Sequence, residues 1–380
     1  MKKEDNSKIV IVCQSCGYLI RDIIKAYTEK GNTITLLTSK GSWNSMKDEL
    51  PEDIKFRSVI TYDRTSTLKR LFTWTICTLQ MFFKILFLRH KEEILYVSNP
   101  PFAPLLPIFL HNKFSVLIWD IYPDILVSQG LFRKDAAIVK WWSNINKKVY
   151  KKARNVFTIS EGMKERLGEY VDNNKIKVIP LWPDNSNLHR IDKSQNQFIK
   201  DNRLEGKFIV MYSGNLGNTH RMDVLVDVAK NIQNKDVIFV LIGEGGKKKI
   251  IEQRISDECV DNILMLPYQP YGFLSHSLSA ADIAVITLDT QSSAMSVPSK
   301  TFNMMSLGIP LLCIASPKSE LGNIVRNYNV GDIFEPEDVV GITDYVLSLK
   351  INYSIRKQYA ENSLKASKDF SPENAKMFIE

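Results

Sequence analysis

The sequence predicts an α/β protein made of two doubly wound domains in series, with its ligand site expected in the cleft between them. Three observations lead there. At 380 residues the chain exceeds what one hydrophobic core usually sustains. Short β-branched runs alternate with stretches of helical length, the pattern of parallel sheets covered on both faces. That alternation also stops once, at a proline-containing and then polar stretch, and begins again.

In order, Lys8–Val12 is expected as a buried strand, with a helix over Tyr18–Lys30 stopped by Gly31. Strands follow at Thr33–Leu37, Glu93–Val97, Phe114–Trp119 and Asn155–Ile159, with a helix near Ala136–Ala153. The pause falls at Ile179-Pro-Leu-Trp-Pro-Asp184, so residues 1–185 are read as a first domain and 186–204 as a linker. A second domain over 205–365 begins with strand Phe208–Tyr212 and helix Asp223–Asn231. Val237–Ile242, Ile263–Leu266, Ile283–Ile286 and Pro310–Ile314 supply its further strands, and a last helix lies near Ile355–Lys368. Residues 366–380 are expected to return to the first domain.

Composition narrows the class. A hydrophobic fraction of 44% and a charged fraction of 24% are ordinary for a globular chain and exclude a disordered one. Lys and Arg number 50 against 42 Asp and Glu, a net +8. That suits an anionic partner such as a nucleotide diphosphate or a membrane surface; no nucleic-acid motif accompanies it. Five cysteines are scattered at 13, 16, 77, 259 and 313. Cys13-x-x-Cys16 has no second pair or His cluster to complete a zinc site, so reduced thiols and no metal are expected. Met1–Ser7 is polar, so no signal peptide is expected there.

Leu71–Leu88 is long enough to cross a bilayer but carries Gln80 and Lys84, and a central Lys costs about 2.5–3.5 kcal/mol there. Lys69, Arg70, Arg89 and Lys91 flank it. An amphipathic helix on an anionic surface fits this better than a span; a buried helix of the first domain is the other reading.

Three segments carry chemistry. Tyr212-Ser-Gly-Asn-Leu-Gly217, then His220-Arg221, places small residues at a strand end, where backbone can approach a phosphate and a cation can neutralise it. Leu241-Ile-Gly-Glu-Gly-Gly246 with Lys247–Lys249 either holds phosphate or simply turns into a helix. Pro298-Ser-Lys-Thr301 opens a helix that Gly308 ends. A Lys in a first turn opposes the helix dipole, which favours ligand binding over stability as the role of Lys300.

These motifs, in this order, resemble glycosyltransferase family 4 and its bacterial surface-polysaccharide branch, whose two Rossmann-like domains face each other in the GT-B arrangement. Asn99-Pro-Pro101, Asp120-x-Tyr-Pro-Asp124 and Thr158-Ile-Ser-Glu-Gly162 resemble the family's first-domain segments, and Ile179-Pro180 with Trp182 and Asp184 its linker. Ala281-Asp282 and Pro298-Ser-Lys300 leading to Gly308-x-Pro310 resemble its donor domain. The resemblance implies a retaining transfer from a UDP- or GDP-linked sugar to a lipid-linked or oligosaccharide acceptor. It implies no cofactor and no metal, on the cytoplasmic face of the membrane. Asp120, Arg221 and Lys300 are then the expected catalytic residues. Gly214, Asn215, Gly217, His220, Tyr268, Gln269, Ser299, Thr301 and Asn303 would bind the donor, with Gly17, Asp124 and Glu161 on the acceptor side.

The family's pair of glutamates would fall at Met295 and Asn303. Asn303 can bond a ribose hydroxyl but lacks the charge that grips a diol. A catalytically weak scaffold subunit and a nucleotide-sugar epimerase are therefore alternatives. A dehydrogenase is disfavoured, because no strand leads into G-x-G-x-x-G.

Overall fold

The computed structural model describes residues 7–63, 65–88, 92–184, 188–217, 221–288 and 297–379. It divides into two compact units, Met1–Pro180 with Pro372–Glu380, and Leu181–Ser371.

The first unit has a parallel sheet of seven strands among the described residues: β1 (Lys8–Val12), β2 (Thr33–Ser39), β3 (Lys55–Val59), β4 (Glu93–Val97), β5 (Phe114–Ile118), β6 (Val156–Thr158) and β7 (Ile176–Val178). Their order is β3-β2-β1-β4-β5-β6-β7. The chain builds outward from β1 and then returns to β4 on its other side. Such a reversal opens a crevice at the strands' carboxyl ends. Near-continuous apolar runs make the central strands, since both faces are covered: β5 is buried at every position.

Helix Thr67–Leu86 connects β3 to β4, capped by Ser66 accepting from the Lys69 amide at 3.2 Å. It sends Thr73, Cys77, Met81 and Ile85 into the core, a stripe at four-residue steps. Arg89 and Lys91, expected to flank it, lie outside the described residues. At the chain's end, Pro372–Phe378 packs on the same unit. Phe378 lies 4.7 Å from the Phe157 ring centre and its carbonyl accepts from Tyr27 at 3.2 Å.

The second unit repeats the scheme with β8 (Phe208–Ser213), β9 (Val237–Ile242), β10 (Ile263–Leu266), β11 (Ile283–Thr287), β12 (Leu311–Ile314) and β13 (Gly331–Phe334). The parallel order is β10-β9-β8-β11-β12-β13, so the reversal lies between β8 and β11.

The stretch 186–204, expected as a linker, belongs from residue 188 onward to this second unit. Asn196 caps helix Gln197–Asp201, whose Phe198 and Ile199 are buried, and its side-chain amide donates to the His276 carbonyl at 2.9 Å. A single apolar pair inside a polar stretch is enough to anchor it. Residues 185–187 lie outside the described residues.

Candidate functional site

In the second unit the reversal point brings two glycine loops and one lysine together. The loop after β8 and the loop after β9 are laced by backbone: the Gly214 amide donates to the Ile242 carbonyl at 2.9 Å and Leu216 to Glu244 at 2.8 Å. A Cβ at Gly243 would meet the Gly214 carbonyl oxygen at 1.9 Å, and one at Gly245 would meet Leu216 backbone at 2.4 Å. Their φ angles are 153° and 157°. The glycines of the second loop therefore serve backbone approach, holding the first loop in place. Lacing consumes the Gly214 and Leu216 amides; those of Asn215 and Gly217 bond no described residue.

Lys300 closes this site. Its Nζ lies 3.9 Å from the centre of the Tyr212 ring and 3.0 Å from where a Gly214 Cβ would stand. The stem reaches the surface, but Nζ is sealed from water and has no hydrogen-bond partner among the described residues. Burial lowers its pKa from the ordinary lysine value to about 7. Thr301 Oγ1 and Asn303 Oδ1, from the same turn, are likewise buried and unpartnered. Buried polar atoms in folded proteins are nearly always bonded, so three orphans in one turn mark a place for a polar ligand. Tyr268 stands close enough to Tyr212 to raise its phenol further, after burial; Gln269, in contrast, donates to its own neighbour's carbonyl, Pro267, at 2.9 Å.

Other expected donor contacts are placed differently. The Arg221 guanidinium is taken up by Asp223 and Glu337, each at 3.2 Å, and these carboxylates raise its pKa. It is a paired cation here, whereas Lys300 is not. The Thr301 amide donates to Pro298 at 2.9 Å and that of Phe302 to Ser299 at 3.1 Å. The helix start at Ser299, itself exposed, therefore offers side chains more than amides. His220 and Met295 lie outside the described residues.

In the first unit, Asp120 follows β5 at the carboxyl edge. Its amide and that of Trp119 donate to Ser98 Oγ, at 3.3 and 2.9 Å. Its carboxylate bonds no described residue and keeps solvent access, while the crowded protein around it raises its pKa by desolvation. It caps no helix: the next one, Asp124–Ser128, has Pro123 at its cap position.

Asp124 is a different case from the acceptor contact expected of it. It is buried and bonded by Arg166 Nε at 2.6 Å, by Arg166 Nη2 and by the Tyr170 hydroxyl. Its charge is used within the fold. Glu161 begins helix Glu161–Leu167 on the surface, 3.8 Å from Lys164. Gly17 caps helix Tyr18–Glu29 with open space where a Cβ would stand. Cys13 and Cys16 are buried, and burial pushes the Cys13 thiol well up.

Sequence reasoning missed the surroundings of Asp120. Tyr62 stacks on Trp74 at 5.9 Å, Trp74 meets Tyr122 edge-on at 6.0 Å, and Tyr122 stacks on Trp142 at 5.7 Å. Arg70 lies over Trp74 at 4.9 Å. The spacing of Arg70 and Trp74, four apart on one helix, was the available signal.

The family described as Glycosyl transferases group 1 matches residues 193–366, which include both glycine loops and Lys300. That match lies wholly within the second unit. The chain is also similar to the probable glycosyltransferase WbjE of Pseudomonas aeruginosa, 23% identical over 67% of this chain and 65% of the relative. It is 27% identical to the putative colanic acid biosynthesis glycosyl transferase WcaI of Escherichia coli, over 55% and 53%. The matched stretch thus takes in between half and two-thirds of those relatives' lengths. Anabaena HepE, solved in complex with UDP and glucose, superposes with a TM-score of 0.74 over 98% of both chains at 15% identity. At that identity the likeness is one of fold, and the fold is that of the GT-B glycosyltransferases.

Outside the matched residues, the first unit carries an unusual surface. Helix Thr67–Leu86 exposes Leu68, Leu71, Phe72, Leu79 and Phe83 opposite its buried stripe, and Phe87 follows at 84% exposure. Phe109 and, on helix Ala137–Lys152, Trp141 are also exposed, at 66% and 54%. Neither helix contains a carboxylate, and between them they carry Lys69, Arg70, Lys84, Lys140, Lys147, Lys148, Lys151 and Lys152. No helix among the described residues is long and apolar enough to cross a membrane. No group of three or more His, Cys, Asp or Glu among them could hold a metal ion.

Proposed function

We propose that this chain is a retaining glycosyltransferase that moves a sugar from a nucleoside-diphosphate donor, bound by the group 1 domain, to a lipid-linked saccharide at an anionic membrane surface. The observation that carries the reading is the Lys300 ammonium, buried over Tyr212 with no described group to bond. An unpaired buried cation is costly, and a pyrophosphate supplies the charge and the oxygens it lacks. HepE's complexes with UDP and UDP-glucose favour UDP as the nucleotide.

On this reading Lys300 and the Asn215 and Gly217 amides stabilise negative charge as the diphosphate departs. Fixed charges of that kind lower a barrier without moving a proton. The site calls for no cofactor beyond the donor. Thr301 and Asn303 offer oxygens to the donor's hydroxyls, and Tyr268 a face for its base. Arg221 would assist only if a ligand drew it away from Asp223. Asp120, with its raised pKa, is the first-unit group suited to receive the acceptor's proton.

Calorimetric titration with UDP, GDP and their glucose and mannose conjugates tests the donor. Failure of all of them to bind would favour a scaffold. Proton NMR of the first-formed product tests retention, since an inverted anomeric configuration would overturn it.

The membrane part rests on the exposed apolar residues of helix Thr67–Leu86 beside an excess of lysines, the make-up of an interfacial helix. Cosedimentation with phosphatidylglycerol vesicles tests it. Phe83→Asp with Phe87→Asp is expected to release the protein to the supernatant, and unchanged pelleting would remove this part.

A further inference from the structure

The carboxyl edge of the first sheet holds a second cation without an anion among the described residues. Arg70 sits on the first turns of helix Thr67–Leu86 with its guanidinium carbon 4.9 Å from the Trp74 ring centre. Its Nε is closed off from water and has no hydrogen-bond partner among the described residues, and no described carboxylate lies within ion-pair distance of it. The acid nearest in sequence, Asp63, is turned to Lys69 at 3.7 Å and to Thr65.

Three contacts fix Arg70 at this edge and not merely on the helix surface. The Thr73 carbonyl accepts from Gln14 Nε2 at 3.1 Å, just past the end of β1. The same amide donates to Ile60, just past β3, at 3.2 Å. Trp74 meets Tyr122, whose hydroxyl pKa is raised first by burial and then by the Asp120 carboxylate, with Arg70 pulling it down. Arg70 and Asp120 therefore flank one tyrosine. Gln14 Oε1, buried and without a partner among the described residues, lies at the same edge.

We infer that Arg70, stacked on Trp74, is the phosphoryl-binding residue of the acceptor subsite, so that the acceptor carries a phosphate or diphosphate next to the sugar it presents toward Asp120. This rests on the transferase reading above and names the acceptor's chemistry. Guanidinium is the group best matched to phosphate oxygens, and stacking on an aromatic face preorganises its fork. Tyr62, Trp74 and Tyr122 supply flat apolar faces of the sort that pack against a pyranose ring. A neutral oligosaccharide would leave Arg70 unpaired and, with water excluded, would bind poorly. The phosphoryl group could come from an acceptor molecule or from bilayer headgroups; an acceptor is favoured because Arg70 sits at the end of its helix that meets Gln14 and Tyr122 near Asp120, while Lys84 lies at the other end of that helix and Lys140 on helix Ala137–Lys152.

The test uses the full chain, saturated with UDP, titrated calorimetrically with octyl diphosphate below its micellar concentration and with octyl glucoside as the neutral control. The wild type is expected to prefer the diphosphate at least tenfold; Arg70→Gln abolishes that preference and Arg70→Lys keeps part of it. Equal affinity of wild type and Arg70→Gln for octyl diphosphate, or no preference in the wild type, overturns the subsite. So does loss of phosphatidylglycerol-vesicle pelleting by Arg70→Gln, which would assign the residue to headgroups. Unchanged melting temperature and circular dichroism establish that the variants fold. UDP is titrated first: its failure to bind would sink the donor reading alone, and the Arg70 comparison is then read without it.

Discussion

The Lys300 ammonium rests 3.9 Å from the centre of the Tyr212 ring, joining the start of a helix that follows β11 to the end of β8. Together these strands bracket the reversal point of the second sheet, where a ligand binds in folds of this kind. The contact replaces water on one face of the ammonium with an aromatic quadrupole, but offers no charge. A donor diphosphate would complete it.

Lys300→Met tests that contact. Transfer is expected to fall by about 2–4 kcal/mol in the barrier, the scale of one preorganised charge stabiliser. Melting temperature should hold or rise, because an unpaired buried charge is removed. Steady-state kinetics and a thermal melt measured side by side check it; retained activity would place the diphosphate elsewhere.

Lys300 also sets a pH dependence. With its pKa near 7 in the unliganded protein, donor affinity should weaken as pH rises above 7, and binding at pH 8 should take up about one proton. Calorimetry in buffers of different ionisation enthalpy reads that uptake. Stability runs the other way. The folded pKa lies below the unfolded one, so the unfolded chain binds more protons between them and stability rises with pH from about 7 towards 10. Lys300→Met should remove this slope; an unaltered slope would mean that the lysine titrates normally.

Gly243→Ala should destabilise by about 1–3 kcal/mol or more, since a side chain is strained at its φ of 153° and its Cβ would collide with Gly214. UDP affinity should fall with it, because the displaced loop is the one beside Lys300. Gly17→Ala, where φ is −142° and nothing crowds the Cβ, should change stability by less than about 0.5 kcal/mol. Chemical denaturation of both variants decides; similar losses would show that lacing of the two loops is unimportant.

The strand–helix alternation and its restart at Phe208 were legible because parallel strands are apolar runs with little dependence on context. So was Lys300, from its misfit with the helix dipole. What the sequence concealed lies in pairings over long separations. Arg221 reads as a free cation beside the loop, yet Glu337, from a distant turn, neutralises it. Thr73 and Trp74 read as ordinary helix positions until Gln14 and Tyr122 reach them. Helical spacing shows which residues share a face, and not what that face meets.

Asp124 makes the same distinction measurable. Its motif spacing suggests a contact for substrate, while its partners Arg166 and Tyr170 enclose a buried carboxylate. Removing one member of a buried ion pair strands the other, at a cost of about 3–5 kcal/mol. Asp124→Ala should therefore lower the melting temperature sharply, while the folded fraction keeps its affinity for UDP. Asp120→Asn should do the reverse: a nearly unchanged melt, with transfer reduced on the order of 100-fold or more if the carboxylate takes the acceptor's proton. Purified variants assayed by melt, UDP titration and turnover separate the two roles. A stable, inactive Asp124→Ala would return that residue to the acceptor site.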